Sequence, residues 1–109
     1  MNKETVISAR TAEVTAGNAI FDCFDKQTDR FFVVADNLAT TEEVDINIYI
    51  GGNSFSAFLN NSGTAYKLTA SQAMIEIPNP GYQLEFLKDA TAGACAVTVT
   101  WPSLNKRGG

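Results

Sequence analysis

The chain has 109 residues, 45% of them apolar and 18% charged, and its 12 acidic against 8 basic side chains give a net charge of −4. That length sets one domain over residues 1–109 as the default, with a folded surface of roughly 5,900 Å² against about 17,000 Å² unfolded, so one core forms without metal or disulfide staples. The acidic balance argues against a nucleic-acid-binding domain, which needs a basic face to neutralise phosphates, and the absence of histidine excludes every triad, zinc site or proton shuttle that needs an imidazole.

The first residues, Asn2-Lys3-Glu4, read as a short polar tail (1–4), with no apolar run of signal-peptide length behind them. No stretch approaches the roughly 20 apolar residues of a membrane span. The expectation is a soluble chain made in the cytoplasm. Val6–Arg10 and Ala19–Phe24 are weak strand candidates separated by a turn at Ala16-Gly17-Asn18. After a polar turn at Asp25–Asp29, the segment Arg30–Asp36 is apolar throughout its middle and reads as a strand covered on both faces. Glu42 and Glu43 precede the next strand, where charges stay solvated and discourage edge pairing.

Val44–Ile50 alternates cleanly: Val44, Ile46, Ile48 and Ile50 share one face, Asp45 and Asn47 the other. Gly51-Gly52-Asn53 supplies the positive φ of a tight hairpin into Phe55–Leu59. Asn60-Asn61-Ser62-Gly63 is a polar turn rather than a glycosylation site, since no secretion signal accompanies it. Ala65–Leu68 is another weak strand, and Leu68–Met74 allows one helical turn at most before Pro78 and Pro80. Ile75 and Ile77 point inward with Glu76 outward. Pro80-Gly81 fits the centre of a type II turn. Tyr82, Leu84 and Phe86 then share an inward face, as do Cys95, Val97, Val99 and Trp101. The Thr91-Ala92-Gly93 turn joins these last strands, Tyr82–Lys88 and Ala94–Trp101, as a hairpin. Ser103–Gly109 reads as a polar tail.

Eight or nine short strands at this spacing predict an all-β sandwich, for which a jelly roll is one natural arrangement. The expected core includes Val44, Ile46, Ile48, Leu84, Phe86, Val97, Val99 and Trp101. Cys23 and Cys95 lie in apolar segments and read as small buried hydrophobes.

Chemistry is sparse. The five lysines read as lying at turns or on polar faces, so no serine nucleophile gains a lysine base. The carboxylates at Asp22, Asp25 and Asp29, and at Glu42, Glu43 and Asp45, read as solvated turn and strand-end charges rather than a catalytic pair. The Asp25–Asp29 loop lacks the acidic density and glycine of a calcium loop. The expectation is a protein without catalytic residues, metal or cofactor. Aromatic residues carry the remaining signal. Tyr49 and Phe58 each sit out of phase with the apolar face of their strands, and the intervening turn would set both on one outer hairpin face. Tyr49, Phe58, Tyr66, Tyr82 and Trp101 could alternatively form a sugar-stacking platform, although Tyr82 and Trp101 share inward faces.

Ile75-Glu76-Ile77-Pro78-Asn79-Pro80-Gly81-Tyr82-Gln83-Leu84-Glu85-Phe86, then Lys88, then Ala90-Thr91-Ala92-Gly93-Ala94-Cys95-Ala96-Val97, resembles small structural proteins of tailed-bacteriophage virions, particularly head decoration (cement) proteins. The likeness is carried by residues 75–97 and lies in the order of strands and turns. The short N-terminal tail departs from the longer arm of some of these proteins. The resemblance implies a virion location, the major capsid protein or other virion proteins as partners, and a homo-oligomer on the particle, with neither nucleic acid nor membrane bound. Shell stabilisation would then come from many weak contacts acting together. The expected interface is Tyr49 and Phe58 with the tail residues Asn2, Lys3, Lys106 and Arg107. The alternative is a carbohydrate- or host-receptor-binding β-sandwich module.

Overall fold

The computed structural model describes residues 2–7, 17–88 and 96–102. It contains β1 (Asn2–Ile7), β2 (Gly17–Asp22), β3 (Arg30–Asp36), β4 (Glu43–Ile50), β5 (Asn53–Ala57), β6 (Lys67–Thr69), β7 (Met74–Pro78), β8 (Gln83–Lys88) and β9 (Ala96–Trp101). No helix occurs among the described residues, and none there is long and apolar enough to cross a membrane. The segment 68–74 is the end of β6, a turn and the start of β7.

Two antiparallel sheets face each other. One has the order β1-β9-β3-β7, the other β2-β8-β4-β5 with β6 also paired to β4. The pairs are nested: β1 with β9, β2 with β8, β3 with β7, and β4 with β5 and β6. A chain paired in this way is one long antiparallel ribbon. Rolling it up adds the β3–β9 and β4–β8 ladders, which is the wiring of a jelly roll. The expected β8–β9 hairpin is therefore absent: β8 bonds to β2 and β4, whereas β9 lies in the other sheet between β1 and β3. Leu84 and Phe86 face Val97 and Val99 across the core instead of lying beside them. The Thr91-Ala92-Gly93 segment and Cys95 fall outside the described residues.

The core is assembled by the period of two. Phe21, Val44, Ile46, Leu84 and Phe86 from one sheet meet Phe31, Val33, Ile77, Val97, Val99 and Trp101 from the other, all buried, with Ile48 and Ile75 packed against them. Four rings lock the layers edge to face. Phe21 lies 5.3 Å from Phe31, 5.6 Å from Trp101 and 6.4 Å from Phe86 between ring centres. Such edge-on pairs add to the gain from area alone. β3 is covered on one face only: Phe31, Val33 and Ala35 are buried, while Phe32 and Val34 stay half-buried outside. The Arg30 guanidinium lies 5.7 Å from the Phe32 ring centre there.

Two charged residues overturn the solvated reading. Lys88 falls in phase with Leu84 and Phe86, and its amine is buried 3.4 Å from the equally buried Glu42 carboxylate. The turn at residues 39–42 holds that carboxylate, which accepts the Ala39 N–H at 3.2 Å.

Candidate contact surface at the loop end

Three connections converge on one end of the sandwich: residues 23–29 between β2 and β3, the Gly51-Gly52 turn, and residues 79–82 between β7 and β8. Asn2 and Trp101 face each other at the same end, because Thr100 is registered with Phe32 near the start of β3. Gly51 and Gly52 take φ of 62° and 85°, the doubly positive pair that a two-residue hairpin of native twist requires. Gly81 takes φ of 80°.

Asn79 ties two of these loops together. Its side-chain amide donates to the carbonyls of Thr28 at 2.9 Å, Cys23 at 3.3 Å and Lys26 at 3.5 Å. Its side-chain oxygen accepts the Gly81 N–H at 2.8 Å, and its own N–H donates to Asp29 O at 3.0 Å. One residue thus satisfies the polar groups of a loop some fifty positions away, where unpaired carbonyls would otherwise be costly. Lys26 closes the core beneath. Its amine sits 4.9 Å from the Phe21 ring centre and 5.6 Å from that of Trp101, while paired with Asp25 at 2.7 Å.

On this braced end large apolar side chains stand in solvent: Phe24 is 65% exposed, Tyr82 54% and Ile50 41%. Together with Tyr49 they border a shallow depression of about 200 Å³. Tyr49 is half-buried and its hydroxyl donates to Gly52 O at 2.9 Å. Gln83 and Asp22 are linked at 2.7 Å on the adjoining strands. Tyr82 and Ile50 were expected inward by phase. Both lie at strand ends beyond the rim of the core, so phase no longer implies cover. Phe24 was not singled out from the sequence, although the alternation that buries Phe21 and Cys23 turns Asp22 and Phe24 outward.

The hairpin face expected for Tyr49 and Phe58 does not form. Phe58 N–H donates to Ile46 O at 3.0 Å, so Phe58 sits opposite an inward residue and packs against the core, with its ring 5.0 Å from Tyr66. The cause is an irregularity in the ladder. Pairing passes from Tyr49–Ser54 to Ile48–Ser56, leaving Phe55 as the extra residue of a bulge, and Phe55 is 72% exposed. A one-residue offset inverts every later side chain. Asn2, Lys3 and Glu4 do not form the expected tail: they are exposed positions of edge strand β1, registered with Trp101, Thr100 and Val99 of β9; Lys106 and Arg107 lie outside the described residues.

Cys23 is a buried free thiol. Burial pushes its pKa up to about 12, against a smaller lowering by Lys26 and further raising by Asp22 and Asp25. The neutral thiol is a poor nucleophile. Iodoacetamide at neutral pH is therefore expected to leave Cys23 unmodified in the native chain and to alkylate it in urea, as read by peptide mapping. Because the folded value lies above the unfolded 9.0, the buried thiol's contribution is complete below that pH and declines as pH rises toward about 12. A Cys23→Ala variant should lose stability less steeply in that range. Among the described residues, no three His, Cys, Asp or Glu side chains gather as metal ligands. No protein family, curated protein or solved structure matches the chain.

Proposed function

We propose that this protein is a structural component of a phage particle, a capsid decoration protein that stabilises the shell through protein–protein contacts made by its loop end. The observation that carries the reading is the exposed pair Phe24 and Tyr82 on the two loops that Asn79 ties together, with exposed Ile50 beside them at the end of β4. Clustered aromatic side chains on a preorganised surface are what protein interfaces use as anchors. The jelly roll agrees by analogy, since viral capsid domains are among its users. The likeness of residues 75–97 to decoration proteins supports the choice of partner.

The test is binding to shells assembled from the major capsid protein encoded nearest this gene. The parent should bind, and Phe24→Ser with Tyr82→Ser should weaken binding by about thirtyfold or more, the loss of one interface anchor of ~2 kcal/mol. Both side chains are exposed, so thermal unfolding should change little. Phe58→Ser should instead lower stability. A parent that does not bind, or a double variant that binds as the parent does, rejects the reading.

A further inference from the structure

The side of the sandwich along β7 holds a groove that shares no residue with the loop-end depression. It consists of two adjoining hollows of about 520 and 480 Å³ that meet at Tyr66 and Glu76. Each is within the size range of ligand sites. One wall is β7: Met74 to Glu76 border the first hollow, Glu76 to Pro78 the second. The facing wall is the excursion between β5 and β6. It is built in advance, because Asn60 accepts the N–H groups of Ser62 and Thr64 at 2.8 and 3.0 Å, and Tyr66 N–H bonds to Phe58 O at 2.9 Å. The Tyr66 ring is steadied edge-on by Phe58.

The chemistry of the walls selects the occupant. Among the described residues, the carboxamides of Asn61 and Gln72 and the hydroxyl of Tyr66 have no side-chain hydrogen-bond partner. Carboxamides and phenols each donate and accept, as sugar hydroxyls do. The charges at the groove largely cancel, Arg30 lying 3.8 Å from Glu76, which favours a neutral ligand over an ionic one. An added peptide strand is disfavoured, because the β7 edge carries an exposed Glu76 and ends in Pro78, two features that blunt strand pairing. We propose that this groove binds a neutral oligosaccharide, one sugar in each hollow, with Tyr66 between them and Asn61 and Gln72 bonding its hydroxyls.

The experiment is a glycan array of neutral hexose, N-acetylhexosamine and deoxyhexose oligomers probed with the full chain, followed by amide-shift titration of the strongest binder. The expected result is binding with shifts at Tyr66, Gln72 and Glu76. Gln72→Ala should weaken it about tenfold, Tyr66→Phe should weaken it measurably, and Phe24→Ser should leave it unchanged. These variants spare the Tyr66–Phe58 packing, so the fold survives. An array without binders, or binding indifferent to Gln72→Ala and Tyr66→Phe, overturns the proposal. So does an array without binders beside extended peptides that shift the β7 amides. Shell binding through Phe24 and Tyr82 is scored separately, so either result can fail alone.

Discussion

Replacing Lys88 by methionine is expected to lower the unfolding free energy by about 3–5 kcal/mol, a large part of the ~5–15 kcal/mol that holds a small domain. Lys88 ends β8 on the inward face, opposite Val44 on β4. Its side chain is 1% exposed and that of Glu42 4%. The 3.4 Å pair is thus removed from water, and each charge depends on the other to offset its lost hydration. Deleting the amine takes the counter-charge away from a buried carboxylate that also accepts the Ala39 N–H, and a buried charge without its counter-ion is costly. Glu42→Gln added to Lys88→Met removes that unbalanced charge while keeping an oxygen for Ala39. The double variant should therefore be more stable than Lys88→Met alone, a coupling that urea unfolding of the four chains measures directly. A Lys88→Met cost below about 1 kcal/mol, or simple additivity, would show the pair to be inert.

That ion pair also shows how the sequence can be misread. The alternation that places Leu84 and Phe86 inward places Lys88 inward as well, two residues further on. General expectation sends lysine to the surface, and it outweighed the local phase. Elsewhere phase was sufficient: the buried faces of β4, β8 and β9 follow from it, because one face of each strand must be removed from water, whereas the unbroken apolar middle of β3 carries no phase and read as covered on both sides. Phase fails at strand ends, where Ile50 and Tyr82 have no opposing layer, and past the bulge at Phe55, where the offset turned Phe58 inward. Pairing is a separate matter. A strand, a short connection and a second strand read alike whether the two lie side by side or face each other across a core. β8 and β9 do the latter. The partner of each edge is set by the rolled ribbon as a whole, which local turn residues do not encode. The contact surface was missed for a related reason: Asn79 reads as an ordinary turn former, whereas its partners lie on a loop far away in sequence.

Asn79→Ala is expected to cost about 2–3 kcal/mol, because several backbone groups lose one shared partner at once. The amide offers two N–H bonds to three carbonyls, and its oxygen holds Gly81 N–H. Asn79→Asp separates these roles. It can still accept from Gly81, yet it turns an ionised oxygen toward the carbonyls of Cys23, Lys26 and Thr28. At neutral pH it should be at least as damaging as alanine, since repulsion replaces attraction. Protonation restores a donor, so its deficit should shrink as the pH falls through the carboxylate range, whereas the alanine deficit should not. Parallel urea titrations at two pH values distinguish the cases. Native-state hydrogen exchange should localise the loosening to Cys23 and Lys26, whose N–H groups bond to Tyr82 O and Cys23 O at 3.1 Å. The same change tests the functional reading. Phe24 and Tyr82 lie on the two loops that Asn79 joins, so Asn79→Ala should weaken shell binding without removing either aromatic ring, through the ordering that association would then require.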